Sequence, residues 1–157
     1  MRDPNHAAYL KGDKLFKQGK FVDAGVQFKI AIEEWPEDWQ AMWALGNCFT
    51  ELKKPRKAEE QFKAAIPLAT ADKLPHLNFN LGNAFFDQGK YDAAIAQYRL
   101  VPKGHHVARS AAKNIALAER RMNGDPHRPT ESSKSLGIVM RRCQSWNPHG
   151  KSRHPPR

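Results

Sequence analysis

Leu45-Gly46-Asn47, followed by Phe49, returns 36 residues later as Leu81-Gly82-Asn83, followed by Phe85. A weaker copy, Gly12 with Leu15, lies 34 residues upstream of Gly46 with Phe49. Each copy leads to an Ala and, four positions on, to an aromatic ring: Ala24 and Phe28, Ala58 and Phe62, Ala94 and Tyr98. A period in this range marks a repeat array, in which stacked units bury faces that no single unit can bury alone. Arrays of paired helices are usually binding scaffolds. Function is therefore to be sought on a surface and not in a catalytic pocket.

Between these marks the apolar residues fall at helical spacing. Ala8, Leu15 and Phe16 predict a helix over about 5–18, and Gly19 ends it. Phe21, Ala24, Phe28, Ala31 and Ile32 predict a second helix, over 21–34. Pro36 bars its continuation, and Asp38 is placed to cap a third helix over 39–52. Pro55 suits the first turn of a fourth, where its missing N–H is not needed, and Pro67 should weaken that helix near its end. A fifth helix begins at Asp72 or Lys73 and runs to about Gln88, where Gly89 stops it. The sixth runs from about Tyr91 to short of Pro102. A seventh, over about 105–122, carries Val107, Ala108, Ala111, Ile115, Ala116 and Met122 on one side and Arg109, Lys113, Glu119 and Arg120 on the other.

Charge divides the chain. The formal net charge is +10 over 157 residues, yet residues 125–157 hold seven basic side chains against two acidic ones. Five prolines and a single apolar island, Leu136 to Met140, leave that segment too little to bury, so a disordered basic tail is expected. No apolar run approaches the roughly 18 residues of a membrane span, and the first residues show no apolar secretory segment. Two cysteines, Cys48 and Cys143, form no CxxC and no disulfide framework. A reducing, cytoplasmic setting is the expectation.

The run Asn80-Leu81-Gly82-Asn83-Ala84-Phe85-Phe86-Asp87-Gln88-Gly89-Lys90-Tyr91-Asp92-Ala93-Ala94-Ile95 resembles the tetratricopeptide repeat, a 34-residue unit of two helices. The first unit matches its pattern at Gly12, Leu15, Gly19, Phe21, Ala24, Phe28, Ala31 and Pro36. The second matches at Leu45, Gly46, Phe49, Ala58, Phe62 and Ala65, and the third at Leu81, Gly82, Phe85, Gly89, Tyr91, Ala94 and Tyr98. The early Trp of the family is replaced by Ala8, Met42 and Asn78, and Lys53 stands where the second unit's inter-helix Gly belongs. The resemblance implies an all-α, right-handed α-solenoid: a domain over 5–123 with helix pairs at about 5–38, 39–72 and 75–108, a capping helix over 105–122, and the tail over 124–157.

The same resemblance places the first helix of each pair on a concave groove. Tyr9, Trp43 and Phe79 then share one inward register. Asp13, Asn47 and Asn83 come four residues later on the same face, followed by Phe16, Thr50 and Phe86, with Asn80 beside them. His6, Gln40 and His76 occupy the first turn. Asn side chains both donate and accept, so Asn47, Asn80 and Asn83 suit the unpaired backbone of an extended peptide, and the aromatic rings suit its side chains. The expected function is a protein-interaction adaptor binding a peptide or helical segment, with Tyr9, Asp13, Phe16, Trp43, Asn47, Phe79, Asn80, Asn83 and Phe86 as its binding residues. Some family members grip a C-terminal carboxylate through Lys, Arg and Asn. The matching positions here are Tyr9, Asp13, Ala44, His76 and Asn80, which lack the cations, so that mode is disfavoured.

Two competing readings stand beside this one. In one, the array buries Tyr9, Trp43 and Phe79 in a second copy and acts as an assembly scaffold. In the other, the tail binds nucleic acid through Arg141, Arg142, Lys151 and Arg153, with Trp146 stacking on bases. Lys53-Lys54-Pro55-Arg56-Lys57 reads as a solvated basic turn able to meet an acidic partner. Cys143, His149 and His154 lack the spacing of a zinc site, and His105-His106 reads as the flank of the seventh helix. No cofactor, metal or catalytic constellation is expected, and Cys48 should be a buried, inert thiol.

Overall fold

Gly12, Gly46 and Gly82 each lie against the ring of the next helix, so close that a Cβ would stand 2.8, 2.4 and 2.6 Å from Phe28, Phe62 and Tyr98. The computed structural model describes residues 6–124, and these form helices joined by turns and short irregular links, with no strand among them. Seven α-helices follow one another: α1 (Ala7–Lys17), α2 (Phe21–Glu34), α3 (Trp39–Glu51), α4 (Pro55–Ala65), α5 (Leu74–Asp87), α6 (Tyr91–Arg99) and α7 (Ala108–Asn123). From α1 to α6 each helix packs on the next, and α1 also touches α3. This is the α-solenoid of helix pairs expected from the repeats. The expectations for residues 125–157 fall outside the described residues.

The ends of the helices follow the local chemistry. Asp38 is buried, and its carboxylate accepts the Gln40 and Ala41 N–H groups, both at 3.1 Å, capping α3. Pro55 occupies the first turn of α4. Pro67 tightens the far end into a single 3-10 turn, Ile66–Leu68. The turns inside the three hairpins share one geometry. Lys20, Lys54 and Lys90 N–H donate back to Leu15, Phe49 and Phe85 C=O at 3.0, 2.8 and 2.9 Å. The residue before each donor is left-handed, with φ of 74° at Gly19, 56° at Lys53 and 73° at Gly89. Lys53 thus adopts the glycine conformation with a side chain attached.

The buried set follows the repeat. Ala24, Phe28, Ala58, Phe62, Ala94 and Tyr98 are all at most 1% exposed. Ala at one position admits the neighbouring helix, and the ring four residues on fills the space over the glycine. Cys48 lies fully buried among Ala24, Phe28 and Leu45, and burial pushes its thiol up to about 11. It stays protonated and inert, as expected.

On α7 the expected apolar side is corrected. Ala111 and Ala118 are its buried residues, whereas Ala116 is exposed. The face that packs is set by a 3.6-residue period running from Ala111 through Asn114 and Ile115 to Ala118, and Ala116 lies off that stripe.

Two outcomes test this packing. Gly46→Ala should lower the unfolding midpoint, because overpacking against a ring with no room to move costs roughly 1–3 kcal/mol and outweighs a helix-propensity gain of up to about 1 kcal/mol. Gly25→Ala should be neutral or stabilising, since its nearest contact would be Leu45 at an ordinary 3.5 Å. Equal midpoints for the two variants in thermal denaturation would contradict the account. Separately, Lys53→Gly should raise stability by about 0.5–1 kcal/mol by relieving the left-handed backbone, read from the urea midpoint.

Candidate functional site

α1, α3 and α5 line two adjoining hollows. One, of about 210 Å³, is walled by Tyr9, Asp13, Phe16, Phe28, Gln40, Trp43, Ala44 and Asn47. The other, of about 200 Å³, is walled by Phe16, Asn47, Thr50, Glu51, Asn80 and Asn83. Phe16 and Asn47 belong to both, so the hollows form one groove across the three helices. Of the nine binding residues read from sequence, Tyr9, Asp13, Phe16, Trp43, Asn47, Asn80 and Asn83 line it.

The helical register explains the grouping. Tyr9, Asp13 and Phe16 are spaced by four and three, as are Trp43, Asn47 and Thr50, so each set forms one stripe. Tyr9 leans on the Phe28 ring at 5.4 Å, and Trp39 stacks on Trp43 at 6.2 Å. These contacts hold the aromatic rings in place before any guest arrives. The Trp43 indole N–H is buried without a hydrogen-bond partner among the described residues, a donor facing unmet demand.

The polar side chains divide into two groups. Asn80 Nδ2 donates to Asn47 Oδ1 at 3.0 Å, bridging α3 and α5 across the groove floor. The second amide atoms, Asn47 Nδ2 and Asn80 Oδ1, make no hydrogen bond among the described residues, so the bridge presents a donor and an acceptor together. Asp13 is paired with Lys17 at 2.6 Å. Asn83 differs. Its Oδ1 accepts the Tyr98 hydroxyl at 2.7 Å and Asn114 Nδ2 at 3.0 Å, while Asn114 also donates to Tyr98 Oη at 3.3 Å. Burial pushes Tyr98 up to about 12, against the opposing bond from Asn114, so the phenol remains a neutral donor. Asn83 is therefore a lock joining α5, α6 and α7, with only its edge in the groove.

Phe79 and Phe86 are not among the residues walling either hollow. Phe79 lies against Tyr98 at 5.7 Å in the core between α5 and α6. Phe86 meets the Tyr91 ring at 5.2 Å and lies under the Arg121 guanidinium at 5.9 Å. Phe86 is set against α7 through Arg121, whereas the Phe79–Tyr98 contact repeats that of Tyr9 with Phe28 in the first hairpin. His6 also departs from the groove: it is buried against Trp35, with Nε2 3.3 Å from the Glu34 carboxylate.

A wider hollow of about 430 Å³ lies beside the basic turn, walled by Lys54, Pro55, Arg56, Lys57, Gln88 and Lys90. Next to it, burial pushes the Glu59 carboxyl up, but bonds from Lys63, Gln88 and Lys90 outweigh this and bring it down to about 2. Its walls are mostly flexible cationic stems with no aromatic ring, so this hollow offers charge without a fixed shape.

One grouping escaped the sequence reading. His76, in the first turn of α5, meets His105 and His106 from the turn before α7, with ring centroids 4.7 and 4.6 Å away. The other side of His76 faces Trp43 at 5.9 Å. Burial, then the charges His105 and His106 would carry, hold the His76 imidazolium below its ordinary range. Adjacent histidines in the sequence were the available signal, but their third neighbour is brought in by the superhelix.

Comparison with known proteins agrees with this geometry. The sequence profile of the tetratricopeptide repeat matches residues 9–75 and 69–114. An uncharacterized TPR repeat-containing protein of Arabidopsis thaliana is 32% identical over 94 residues, 56% of this chain and 12% of that protein. The Hsp70-Hsp90 organising protein of Plasmodium falciparum is 30% identical over 113 residues, 68% of this chain and 20% of its own length. The chain thus spans only a small part of these relatives. Among solved structures, the first TPR of Spaghetti bound to an HSP90 peptide superposes with a TM-score of 0.66 at 20% identity, covering 74% of this chain and 91% of that one.

The Asn83 lock yields a prediction. Asn83→Ala should lower stability by about 1–3 kcal/mol, because Tyr98 Oη and Asn114 Nδ2 lose their shared acceptor. Combined with Asn114→Ala, the loss should be smaller than the sum of the single effects. Additive losses in thermal unfolding would show that the three groups do not act as a unit.

Proposed function

The chain belongs to the tetratricopeptide-repeat family, and on that premise we propose that it is an adaptor holding a segment of a partner protein in the groove of α1, α3 and α5. The observation that carries this is the Asn47–Asn80 bridge set between the aromatic wall of Tyr9, Phe16 and Trp43 and the polar wall of Thr50 and Glu51. An extended guest brings backbone N–H and C=O groups that need partners once water is displaced, and the bridge offers one of each. Its apolar side chains fit beside Trp43 and Tyr9. Rigid helices fix these groups in advance, so little entropy is lost on their side. The proposed role is binding and not catalysis, in a cytoplasmic setting compatible with a free Cys48 thiol.

The groove's charge selects among guests. Its ionisable lining is acidic, Asp13 and Glu51, although the whole chain is basic. Lys17 neutralises Asp13, which leaves Glu51 to disfavour an acidic guest. The HSP90 peptide bound to Spaghetti is a precedent for the kind of ligand. Gripping a terminal carboxylate would need cations, and none lines these two hollows. A neutral or basic internal segment with aliphatic or aromatic side chains is the guest that fits. Self-association through this same groove is the rival, and the mass of the chain in solution separates the two.

Trp43→Ala and the Asn47→Ala/Asn80→Ala pair should each weaken partner capture, by about 10-fold or more for Trp43, with helicity unchanged. Titration of a fluorescent partner peptide by anisotropy reads the loss. Unchanged affinity in both variants removes the groove from the proposal.

A further inference from the structure

His76, His105 and His106 each offer one ring nitrogen, and these three atoms lie within 4.8 Å of one another. We infer that this cluster is a binding site for a divalent transition-metal ion of the zinc class, fastening the turn before α7 to the first turn of α5. The inference is independent of the peptide groove, which it borders at Trp43.

The chemistry of the donors sets the class of metal. Three imidazoles are borderline-soft nitrogen ligands, suited to Zn²⁺, Cu²⁺ or Ni²⁺ and unsuited to Mg²⁺ or Ca²⁺, which take oxygen. Zinc–nitrogen bonds of about 2.0–2.1 Å in a tetrahedron put ligand atoms roughly 3.3 Å apart. The cluster must therefore close by at most about 1.5 Å, a matter of side-chain rotation and a small shift of the turn. The three residues divide that task. His76 is anchored on a helix and held against Trp43. His105 is half-buried, and its Nδ1 contact with the Val107 N–H is long at 3.4 Å, so either of its nitrogens can turn to a metal at small cost. His106 is exposed and free to adjust. Three protein ligands leave a fourth position for water.

The surrounding charge does not forbid a cation. Lys73 stands nearby, but its ammonium is paired with Asp72 at 3.3 Å, so the two largely cancel. Neutral imidazoles in such edge-on and tilted contacts attract only weakly, and protonated ones repel. A cation shared between them turns the same contact into an attraction. Its structural effect is a clip across 29 residues, from 76 to 105, at the point where the last helix joins the array.

The test uses the full chain stripped of metal by a chelator. A background variant, His127→Ala/Cys143→Ala/His149→Ala/His154→Ala, removes ligands in the basic segment outside the described residues. In that background, calorimetric titration with Zn²⁺ should show one equivalent bound, Co²⁺ should give the intense visible bands of a tetrahedral site, and Mg²⁺ should be silent. His106→Asn, at an exposed position that leaves the fold intact, should weaken Zn²⁺ binding at least about 10-fold and abolish any Zn²⁺-induced rise in melting temperature. Replacing His76 and His105 as well should remove binding. Loss of Zn²⁺ binding in the background variant alone, unchanged affinity in His106→Asn, or equal binding of Mg²⁺ would each overturn the inference.

Discussion

The close approach of two helices over a glycine organises this protein. At Gly12, Gly46 and Gly82 the missing side chain lets an aromatic ring of the next helix press against the backbone, with three ring atoms 3.1 Å or less from where a Cβ would be. The ring, in turn, is almost wholly buried, so it draws on the full hydrophobic gain of an aromatic side chain. Because the same contact recurs in every hairpin, the hairpins present equivalent faces. α1, α3 and α5 can then stand side by side and share a groove. Remove the close approach and the helices separate; the groove has no wall of its own.

The groove and the core are built from the same few helices, and the side chains between them serve one or the other. Asn47 and Asn83 occupy equivalent positions in successive hairpins, yet their surroundings differ. Asn47 has Asn80 as its partner and keeps one amide atom for a guest. Asn83 receives the matching bond from Asn114 of α7, and it also accepts the Tyr98 hydroxyl, where the second hairpin has Phe62 with no such group. Phe79 and Phe86, whose registers match Tyr9 and Phe16, make the matching ring contacts, with Tyr98 and Tyr91 in place of Phe28 and Phe21.

Local structure was legible where local chemistry was strong. The bounds expected for α2 are those found, because Gly19 and Pro36 bracket an apolar pattern of helical period. Pro67 marked the change to 3-10 geometry, and Asp38 marked a cap. The turn at Lys53 carried a misleading sign. Its backbone takes the left-handed form of Gly19 and Gly89 because packing of α3 on α4 imposes it, at a cost the residue's own preference would avoid. At Ala116 a small apolar residue suggested a buried face, but Ala is weakly informative about burial, and the period settled the matter in favour of Ala118.

Periodicity determined that this chain would be a repeat array, and the resemblance of its repeats to a known helix pair implied stacked hairpins with one helix of each on the groove. Helical spacing then grouped the groove residues of α1 and α3, because residues four apart on a helix share a side. Tertiary structure decided what registers cannot express: that Asn83 bonds to both Tyr98 and Asn114, and that His76 meets two histidines 29 and 30 positions away. A repeat pattern specifies how neighbours stack, but contacts outside that pattern depend on the path of the chain through space, and that path exists only once every hairpin has folded.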